Sequence, residues 1–245
     1  MKKFVYMQII FLLAFTNSIY SQVSVDFETG MVYTGYNNFR IPGSGGTKLS
    51  IADELKTDPS MFWRIRLEYN FSKKHNLSLL IAPLRLKADG TIDKDVVFLD
   101  HTFQTGTHLR SIYVFNSYRL TYRYDFHESE KTKIGIGFTA KIRHARITLE
   151  DTDVKMEKPD TGFVPILNFL YQYKLSQKML FQIYGDALAA PQGRAEDVWL
   201  GFYYKLTDKF LLKAGYRILE GGADVDEVYT FSLFHYLSAG FKVEF

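Results

Sequence analysis

The sequence predicts an all-β protein, a transmembrane antiparallel up-and-down β-barrel of about ten strands. Three observations lead to this prediction. Apolar and polar residues alternate along the chain, the two faces that this alternation defines differ in chemistry, and short and long connections follow one another in turn. Together they define a sheet that closes on itself and meets lipid on its outer side.

Strict alternation indicates strands with one apolar face and one polar face. In residues 63–71, apolar and aromatic side chains alternate with Arg64, Arg66, Glu68 and Asn70. The same period of two recurs at residues 117–126, 134–142 and 229–245. A soluble β-sandwich alternates as well, so the period alone does not choose between a sandwich and a barrel.

The composition of the two faces favours the membrane barrel. The polar face is rich in Gly, Ser, Thr and Arg, whereas the apolar face carries many Tyr and Phe residues near the strand ends. Such faces suit a barrel whose outside contacts lipid and whose inside is hydrated or salt-bridged. Closure also pairs every backbone polar group where water cannot reach it.

The connections set the number of strands. Short polar connections alternate with longer ones, the short ones at residues 72–75, 127–131, 175–178 and 207–209 and the long ones at about 39–59, 87–109, 150–161, 190–196 and 220–226. The strands between them are predicted at 23–38, 60–71, 76–86, 110–126, 132–149, 162–174, 178–189, 197–206, 210–219 and 227–245. Ten is an even number, as is usual for bacterial membrane barrels with both ends on one side.

The first 21 residues have the plan of a cleaved signal peptide. Lys2 and Lys3 precede the short apolar run at residues 9–15, and small and polar residues lead to Ser21. The run is too short for a membrane-spanning helix, which needs about 20 apolar residues. Residues 1–21 are therefore predicted to be the leader and residues 22–245 the barrel.

Charge and composition exclude several kinds of protein. Removing Lys2 and Lys3 from the 30 Lys and Arg residues leaves 28 basic side chains against 27 acidic ones, so no nucleic-acid partner is expected. The chain contains no cysteine, which excludes disulfides, thiolate metal sites and cysteine nucleophiles. The six histidines show no metal-ligand spacing. No metal and no cofactor is predicted.

The leader, the alternating strands, the rhythm of turns and loops, and an amphipathic last strand that ends at Phe245 resemble a small bacterial outer-membrane β-barrel protein. The resemblance implies a place in the outer membrane of a Gram-negative cell, in contact with outer-membrane lipid and lipopolysaccharide. It also implies that the barrel-assembly machinery recognises the C-terminal strand. Ten strands is the size of the omptin proteases, but no segment aligns with their catalytic motif. No catalytic residue is assigned.

The inward face supplies the candidate binding residues, which are predicted to line the barrel lumen: Arg64, Arg66, Glu68, Arg119, Arg123, Lys141, Arg143, Asp186, Lys213 and Arg217. Side chains just fill a barrel of about eight strands, whereas an aqueous channel needs about 16 to 18. Two interpretations stay open. The interior is either a closed core of arginine–carboxylate pairs, or a narrow porin-like passage or pocket for a small anionic or amphipathic ligand.

The first long loop contains the pair Ser50 and Asp53, which resembles a helix N-cap and predicts a short helix at about 51–56. Whether this segment lies on the rim or folds inward stays open. In the fourth loop, Arg194, Glu196 and Asp197 are predicted to be surface charges.

The second long loop has two interpretations. Its acids and histidines, which are Asp93, Asp95, Asp100, His101 and His108, have the chemistry to activate water at the rim. The alternative, which we favour, is a protruding hairpin that pairs residues 96–99 with residues 102–104 and carries solvated charges.

The sequence therefore predicts a non-enzymatic outer-membrane barrel that is structural or binds a small ligand, with or without a narrow passage for solutes. The alternative is a rim hydrolase or acyltransferase that acts on lipid or peptide. The non-enzymatic barrel is favoured because the sequence shows no set of nucleophile, base and orienting group that would act together as a catalytic site.

Overall fold

The computed structural model describes residues 22–245; the predicted leader lies outside the described residues. All regular secondary structure in residues 22–245 is β, in fourteen strands: β1 (Gln22–Arg40), β2 (Leu49–Ser50), β3 (Ser60–Asn70), β4 (His75–Ala82), β5 (Arg85–Thr91), β6 (Val96–Phe98), β7 (His101–Phe103), β8 (His108–Glu128), β9 (Thr132–Glu150), β10 (Lys155–Lys174), β11 (Met179–Ala190), β12 (Gly193–Lys205), β13 (Phe210–Val225) and β14 (Val228–Glu244). The described residues contain no helix that is long and apolar enough to span a membrane.

The wall of the barrel is closed and antiparallel and has ten strands. β4 and β5 are consecutive parts of one wall strand, and β2, β6 and β7 lie in loops. Wall strands that follow one another in the chain pair with each other, and β1 pairs with β14 from Ser24↔Glu244 to Arg40↔Tyr229. This last ladder closes the barrel and confirms the predicted up-and-down fold class.

The two faces of the wall are oriented as predicted. On β3, Trp63, Ile65 and Leu67 are exposed on the outer face, whereas their neighbours Arg64 and Arg66 are buried inside. The same division of outer apolar and inner polar side chains continues around the wall. An outer belt of apolar and aromatic side chains is the surface that a lipid bilayer requires.

The short connections are where the sequence places them, but three of the long ones are not loops. The predicted loops at 150–161, 190–196 and 220–226 are tight turns at the tips of long hairpins, β9–β10, β11–β12 and β13–β14. The start of β10, residues 155–161, is largely polar on both faces, and β11 ends in residues 187–190, which are apolar on both faces. The period of two that identifies a strand is therefore lost there.

The third predicted strand, 76–86, is also corrected, because it is broken after Ala82 and resumes at Arg85. Pro83 lies in the break, and proline cannot donate a hydrogen bond to a strand ladder. The Phe115 amide nitrogen still donates to the Leu84 carbonyl oxygen at 2.9 Å, so the break stays attached to β8.

The two true loops, loop 1 (residues 41–59) and loop 2 (residues 92–107), fold together at the extracellular end. The Thr47 nitrogen donates to the Val97 carbonyl oxygen at 2.9 Å, and the Leu99 nitrogen donates to the Ile41 carbonyl oxygen at 2.9 Å. Their apolar side chains and those of the upper wall form a buried cluster, which we call the loop core: Val32, Phe39, Ile41, Leu49, Ile51, Leu55, Phe62, Leu84, Leu86, Ala88, Ile92, Val96, Phe98, Phe103, Leu109, Tyr113, Ile147, Leu149, Leu219, Phe234 and Tyr236.

Two details of these loops differ from the predictions. Residues 51–56 form hydrogen-bonded turns and no helix, although the Asp53 nitrogen donates to the Ser50 hydroxyl at 3.1 Å as an N-cap contact would. β6 and β7 pair as the predicted hairpin, but Phe98 and Phe103 are buried in the loop core, so this hairpin does not protrude.

Candidate functional site

The barrel interior has two parts, and the lower one is a set of charged and hydrogen-bonded side chains in the periplasmic half. We call it the charged layer; its members are Asp26, Glu28, Arg64, Arg66, Glu68, Arg119, Arg123, Asp125, Asp186, Asp197, Lys213 and Arg217. Eight of the ten predicted lumen residues belong to it. Alternation alone brings them inside, because each sits between two side chains that face lipid.

Asp197 on β12 connects three arginines. Its Oδ2 accepts from Arg64 Nη2 at 2.8 Å and from Arg119 Nη2 at 2.5 Å, and its Oδ1 accepts from Arg217 Nη1 at 2.5 Å. Arg119 also donates to Asp186 Oδ2 at 2.5 Å. One carboxylate therefore holds together strands from opposite sides of the barrel.

A second set of pairs lies beside this one. Arg217 donates from both Nε and Nη2 to the carboxylate of Glu28, each at 2.8 Å. Lys213 Nζ lies 2.9 Å from Glu28 and 2.7 Å from Asp26, which also accepts from the Tyr203 hydroxyl at 2.7 Å. Buried charges at these positions are thus matched by opposite charges and by hydrogen-bond donors.

The remaining arginines and Glu68 complete the layer nearer the periplasm. Arg123 Nε donates to Asp125 at 2.7 Å, and Lys242 Nζ donates to Glu68 at 2.7 Å. Arg66 donates to the Tyr184 hydroxyl at 2.5 Å and stacks over the same ring, with its guanidinium carbon 4.3 Å from the centroid. A void of about 20 Å³ within the layer has about the size of one water molecule.

Sequence reasoning misplaced Asp197 and did not single out Trp199 and Tyr203 on the same strand. The fourth-loop prediction made Asp197 a surface charge, but its side chain is only 2% exposed. It shares the inward parity of Trp199 and Tyr203, which pack edge to face with centroids 5.4 Å apart. Continuing the alternation of residues 198–204 by one residue toward the N-terminus would have identified Asp197 as an inward-facing residue.

The upper part of the interior contains a cavity of about 460 Å³, which we call the extracellular cavity. It lies between the loop core and the wall strands β9 to β14, and it is lined mostly by apolar side chains, among them Tyr113, Phe115, Ile147, Val164, Ile166, Leu188 and Phe234. The charged layer lies below it, toward the periplasm. Pockets of this size and character hold small organic ligands.

The other two predicted lumen residues, Lys141 and Arg143, line this cavity. Lys141 is 3% exposed, its Nζ lies 5.0 Å from the Phe115 ring centroid, and no carboxylate oxygen of residues 22–245 is within 4.0 Å of it. Arg143 donates from Nη2 to Asp160, while its buried Nε has no partner among residues 22–245. The cavity thus combines an apolar wall with a cationic patch.

The acids and histidines of the predicted second long loop, at about 87–109, do not form one site. The carboxylate of Asp95 accepts from the Thr105 amide and hydroxyl, each at 2.8 Å, and these bonds hold the Asp95 pKa below its ordinary value. His108 Nε2 lies 3.7 Å from Asp89, with both side chains exposed, and His101 packs against Phe103. In the part of the chain that the structure describes, no group of three or more His, Asp or Glu residues is arranged to hold a metal ion.

A closed ten-stranded barrel with an apolar outer belt, a charged interior and a loop-covered extracellular end defines a bacterial outer-membrane β-barrel protein, and the outer membrane is where it resides. Among solved structures it is similar to the outer-membrane protease OmpT from Escherichia coli, with a TM-score of 0.58 and 9% sequence identity over 95% of this chain and 100% of that one. This likeness establishes the fold alone.

Two other solved structures match the chain with lower TM-scores. The translocator domain of the autotransporter NalP from Neisseria meningitidis has a TM-score of 0.44 and 10% identity over 100% of this chain and 95% of that one. The COG4313 outer membrane channel from Pseudomonas putida F1 has a TM-score of 0.44 and 10% identity over 94% and 97%. No protein-family model and no curated protein sequence matches the chain.

Proposed function

We propose that this protein is a non-enzymatic outer-membrane barrel that binds a small, largely apolar ligand in the extracellular cavity. The observation that carries the proposal is the cavity itself, about 460 Å³ of mostly apolar lining inside a folded barrel. A purely structural barrel would gain stability by filling this volume with side chains, because unfilled apolar volume costs free energy.

The charged layer favours binding over a passage for solutes. Its side chains are mutually paired across the lumen, and a solute that crossed it would have to separate pairs such as Arg119–Asp197 and Arg217–Glu28. Breaking a buried ion pair costs about 3–5 kcal/mol. The prediction of a porin-like passage therefore receives no support from this geometry.

The test is a cavity-filling variant with a matched control. Ala145 lines the cavity from β9, so Ala145→Trp should abolish binding of an uncharged apolar probe, dodecanol, to the protein in lipid nanodiscs. Ala140 has the opposite parity on the same strand, and Ala140→Trp should leave binding unchanged. Isothermal titration with each variant measures the affinity. Wild-type protein that binds no dodecanol would contradict the proposal.

The same preparation tests the closed lumen. Wild-type protein in planar bilayers is expected to show no stable discrete conductance, because the paired side chains of the charged layer lie across the lumen. Regular conductance steps from a correctly folded preparation would instead favour the passage.

A further inference from the structure

The barrel wall separates between neighbouring strands at two places in its extracellular half. The first lies above the Ile65↔Ile81 pair, where β3 and β4 stop pairing. There loop 1 fills the gap, because Thr57 bridges to Ala88 and the Asp58 nitrogen donates to the Lys87 carbonyl oxygen at 3.2 Å. The protein thus covers the first separation with its own chain.

The second separation is not covered in this way. β10 and β11 pair only up to Leu167↔Ala187. Above this pair, residues 155–166 continue on β9 alone and residues 188–190 continue on β12 alone. We call the gap between these two segments the seam. Within residues 22–245, no other segment pairs with β10 across it.

Two prolines lie on the edge of β10 beside the seam and reduce its capacity to pair with β11. Pro159 and Pro165 both lie in the segment beside the seam, and the β9–β10 ladder runs through both without a register shift. Proline has no N–H, so an unbroken ladder requires that both nitrogens point away from β9, toward the seam. The sequence therefore removes two donors from the edge that would otherwise pair with β11.

The extracellular cavity reaches the seam from the inside. Val164 and Ile166 on β10 and Leu188 and Ala190 on β11 all line the cavity, and they flank the seam on its two sides. An opening between these strands would therefore connect the cavity with whatever surrounds the barrel at this height.

That surrounding is hydrocarbon of the outer leaflet. Taking a rise of about 3.4 Å per residue and a strand tilt of about 40°, Leu167 lies roughly 16 Å and Phe163 roughly 26 Å above Tyr173 at the periplasmic end. An apolar belt of about 25 Å that begins at Tyr173 therefore reaches the lower part of the seam, from Leu167 to just below Phe163, whereas the part near Pro159 lies above the belt. The outward Phe163 and Leu167 are 65% and 50% exposed, as side chains in contact with lipid would be.

Deep in the cavity, the cationic patch indicates the charge of the ligand. The buried ammonium of Lys141 faces an aromatic ring and has no carboxylate partner in the described chain. Arg143, which also lines the cavity and donates from Nη2 to Asp160, has a buried Nε without a partner among residues 22–245. A buried cation and a buried N–H donor without partners are costly, and an anion at this position would satisfy them.

We infer that the extracellular cavity takes a single-chain amphiphile with an anionic headgroup, and that this ligand passes between the outer leaflet and the cavity through the seam. The headgroup lies against Lys141 and Arg143, and the chain lies along the apolar lining toward β10 and β11. The inference rests on the proposed function, which supplies the binding cavity. A cavity of about 460 Å³ lies in the size range of pockets that hold small organic ligands, and a single-chain amphiphile matches that range.

The headgroup is tested with two probes of equal length, dodecanoate and dodecanol, by isothermal titration in nanodiscs. Wild type should bind dodecanoate more tightly by about tenfold or more, because hydrogen bonds between charged groups are stronger than hydrogen bonds to a neutral hydroxyl. Lys141→Met should lose that preference and keep its affinity for dodecanol. Lys155→Met, on the exposed tip of β10, is the matched control and should behave as wild type.

The outcomes separate the inference from the proposed function. If wild type binds both probes equally, the anionic headgroup is wrong while the cavity still binds. If dodecanol also fails to bind, the proposed function fails first. A lost preference in Lys155→Met as well as in Lys141→Met would assign the effect to general surface charge and overturn the role of Lys141.

The seam is tested by closing it. The β10–β11 register continued upward places Pro165 opposite Ala189, both on the outer face, and the chain contains no native cysteine. Linking Pro165→Cys to Ala189→Cys with a bifunctional maleimide should slow dodecanoate transfer from vesicles by about tenfold or more, while leaving its equilibrium affinity unchanged. The two single-cysteine variants, treated with the same reagent, should retain the wild-type rate.

A second variant tests the same route in case the cross-linked protein does not fold. Ala189→Trp places a large ring at the outer mouth of the seam without any reagent, and it should slow transfer in the same direction. An unchanged transfer rate in a folded, linked barrel would show that the ligand reaches the cavity from the extracellular side and would overturn the lateral route.

Discussion

The charged layer and the extracellular cavity both bury basic side chains, but the groups that surround these side chains differ. In the charged layer, Arg119 and Arg217 each meet two carboxylates at 2.8 Å or less. In the cavity, Lys141 meets the ring of Phe115 and open apolar volume. Inward parity determines only that a charge lies inside the barrel. Its neighbours determine whether it stabilises the fold or is available to a ligand.

This difference teaches how a small barrel can be both closed and functional. Ten strands enclose enough volume for a layer of paired side chains and, above it, for loops and a modest cavity. The charged layer ties opposite walls together, so the extracellular half can leave the seam between β10 and β11 unpaired without opening the barrel. If the proposed binding is right, the charged layer stabilises the fold and the cavity above it holds the ligand.

The largest expected effect comes from removing the carboxylate that joins three arginines. Asp197→Ala leaves Arg64, Arg119 and Arg217 with an uncompensated buried charge, and we expect the free energy of unfolding to fall by about 3–5 kcal/mol. Urea unfolding in lipid vesicles, followed by tryptophan fluorescence, measures this change.

Glu130 provides the control for that measurement. It is an exposed acid in the short connection between β8 and β9, so Glu130→Ala should change the free energy of unfolding by less than about 0.5 kcal/mol. Equal destabilisation by the two substitutions would mean that the charged layer is not what ties the walls together.

The sequence was sufficient for the fold and for the inward position of this charged set, because a period of two fixes the face of every residue once one face is known to contact lipid. The inward position of Arg119 and Lys141 could be predicted from the sequence alone. Which carboxylate meets which arginine could not be predicted, because Asp197 and Arg64 are paired across the lumen by barrel closure and not by any local pattern.

The cavity and the seam were harder to predict for a related reason. Extracellular strand segments such as residues 155–161 are polar on both faces, so their alternation is lost and they resemble loops. The seam depends on where β10 and β11 stop pairing, which is a property of two strands together. The one local signal was the pair Pro159 and Pro165, since proline favours the free edge of a strand.

A smaller effect, of opposite sign, is expected when Lys141 is replaced. Lys141→Met removes a buried cation that has no carboxylate partner in the described chain and keeps most of the side-chain volume, so we expect the unliganded protein to gain about 1 kcal/mol in its free energy of unfolding. Arg119→Met, the corresponding change in the charged layer, should instead destabilise. The same urea experiment, performed without ligand, compares the two variants. If both lose stability to the same extent, the two regions do not differ in the way described above.

The smallest expected effect concerns the loops that cover the cavity and depends on pH. Because the Thr105 amide and hydroxyl hold the Asp95 pKa below its ordinary value of 3.8, the carboxylate stabilises loop 2 at neutral pH and loses this contribution as the pH falls through its folded-state pKa. Cleavage of loop 2 by pepsin should therefore accelerate toward pH 2, whereas Asp95→Ala should be cleaved faster than wild type at pH 4.5 and show a weaker dependence on pH. Asp93→Ala, a neighbouring exposed acid, is the control and should retain the wild-type profile. Identical profiles for Asp95→Ala and wild type would show that the contact with Thr105 does not order the loop.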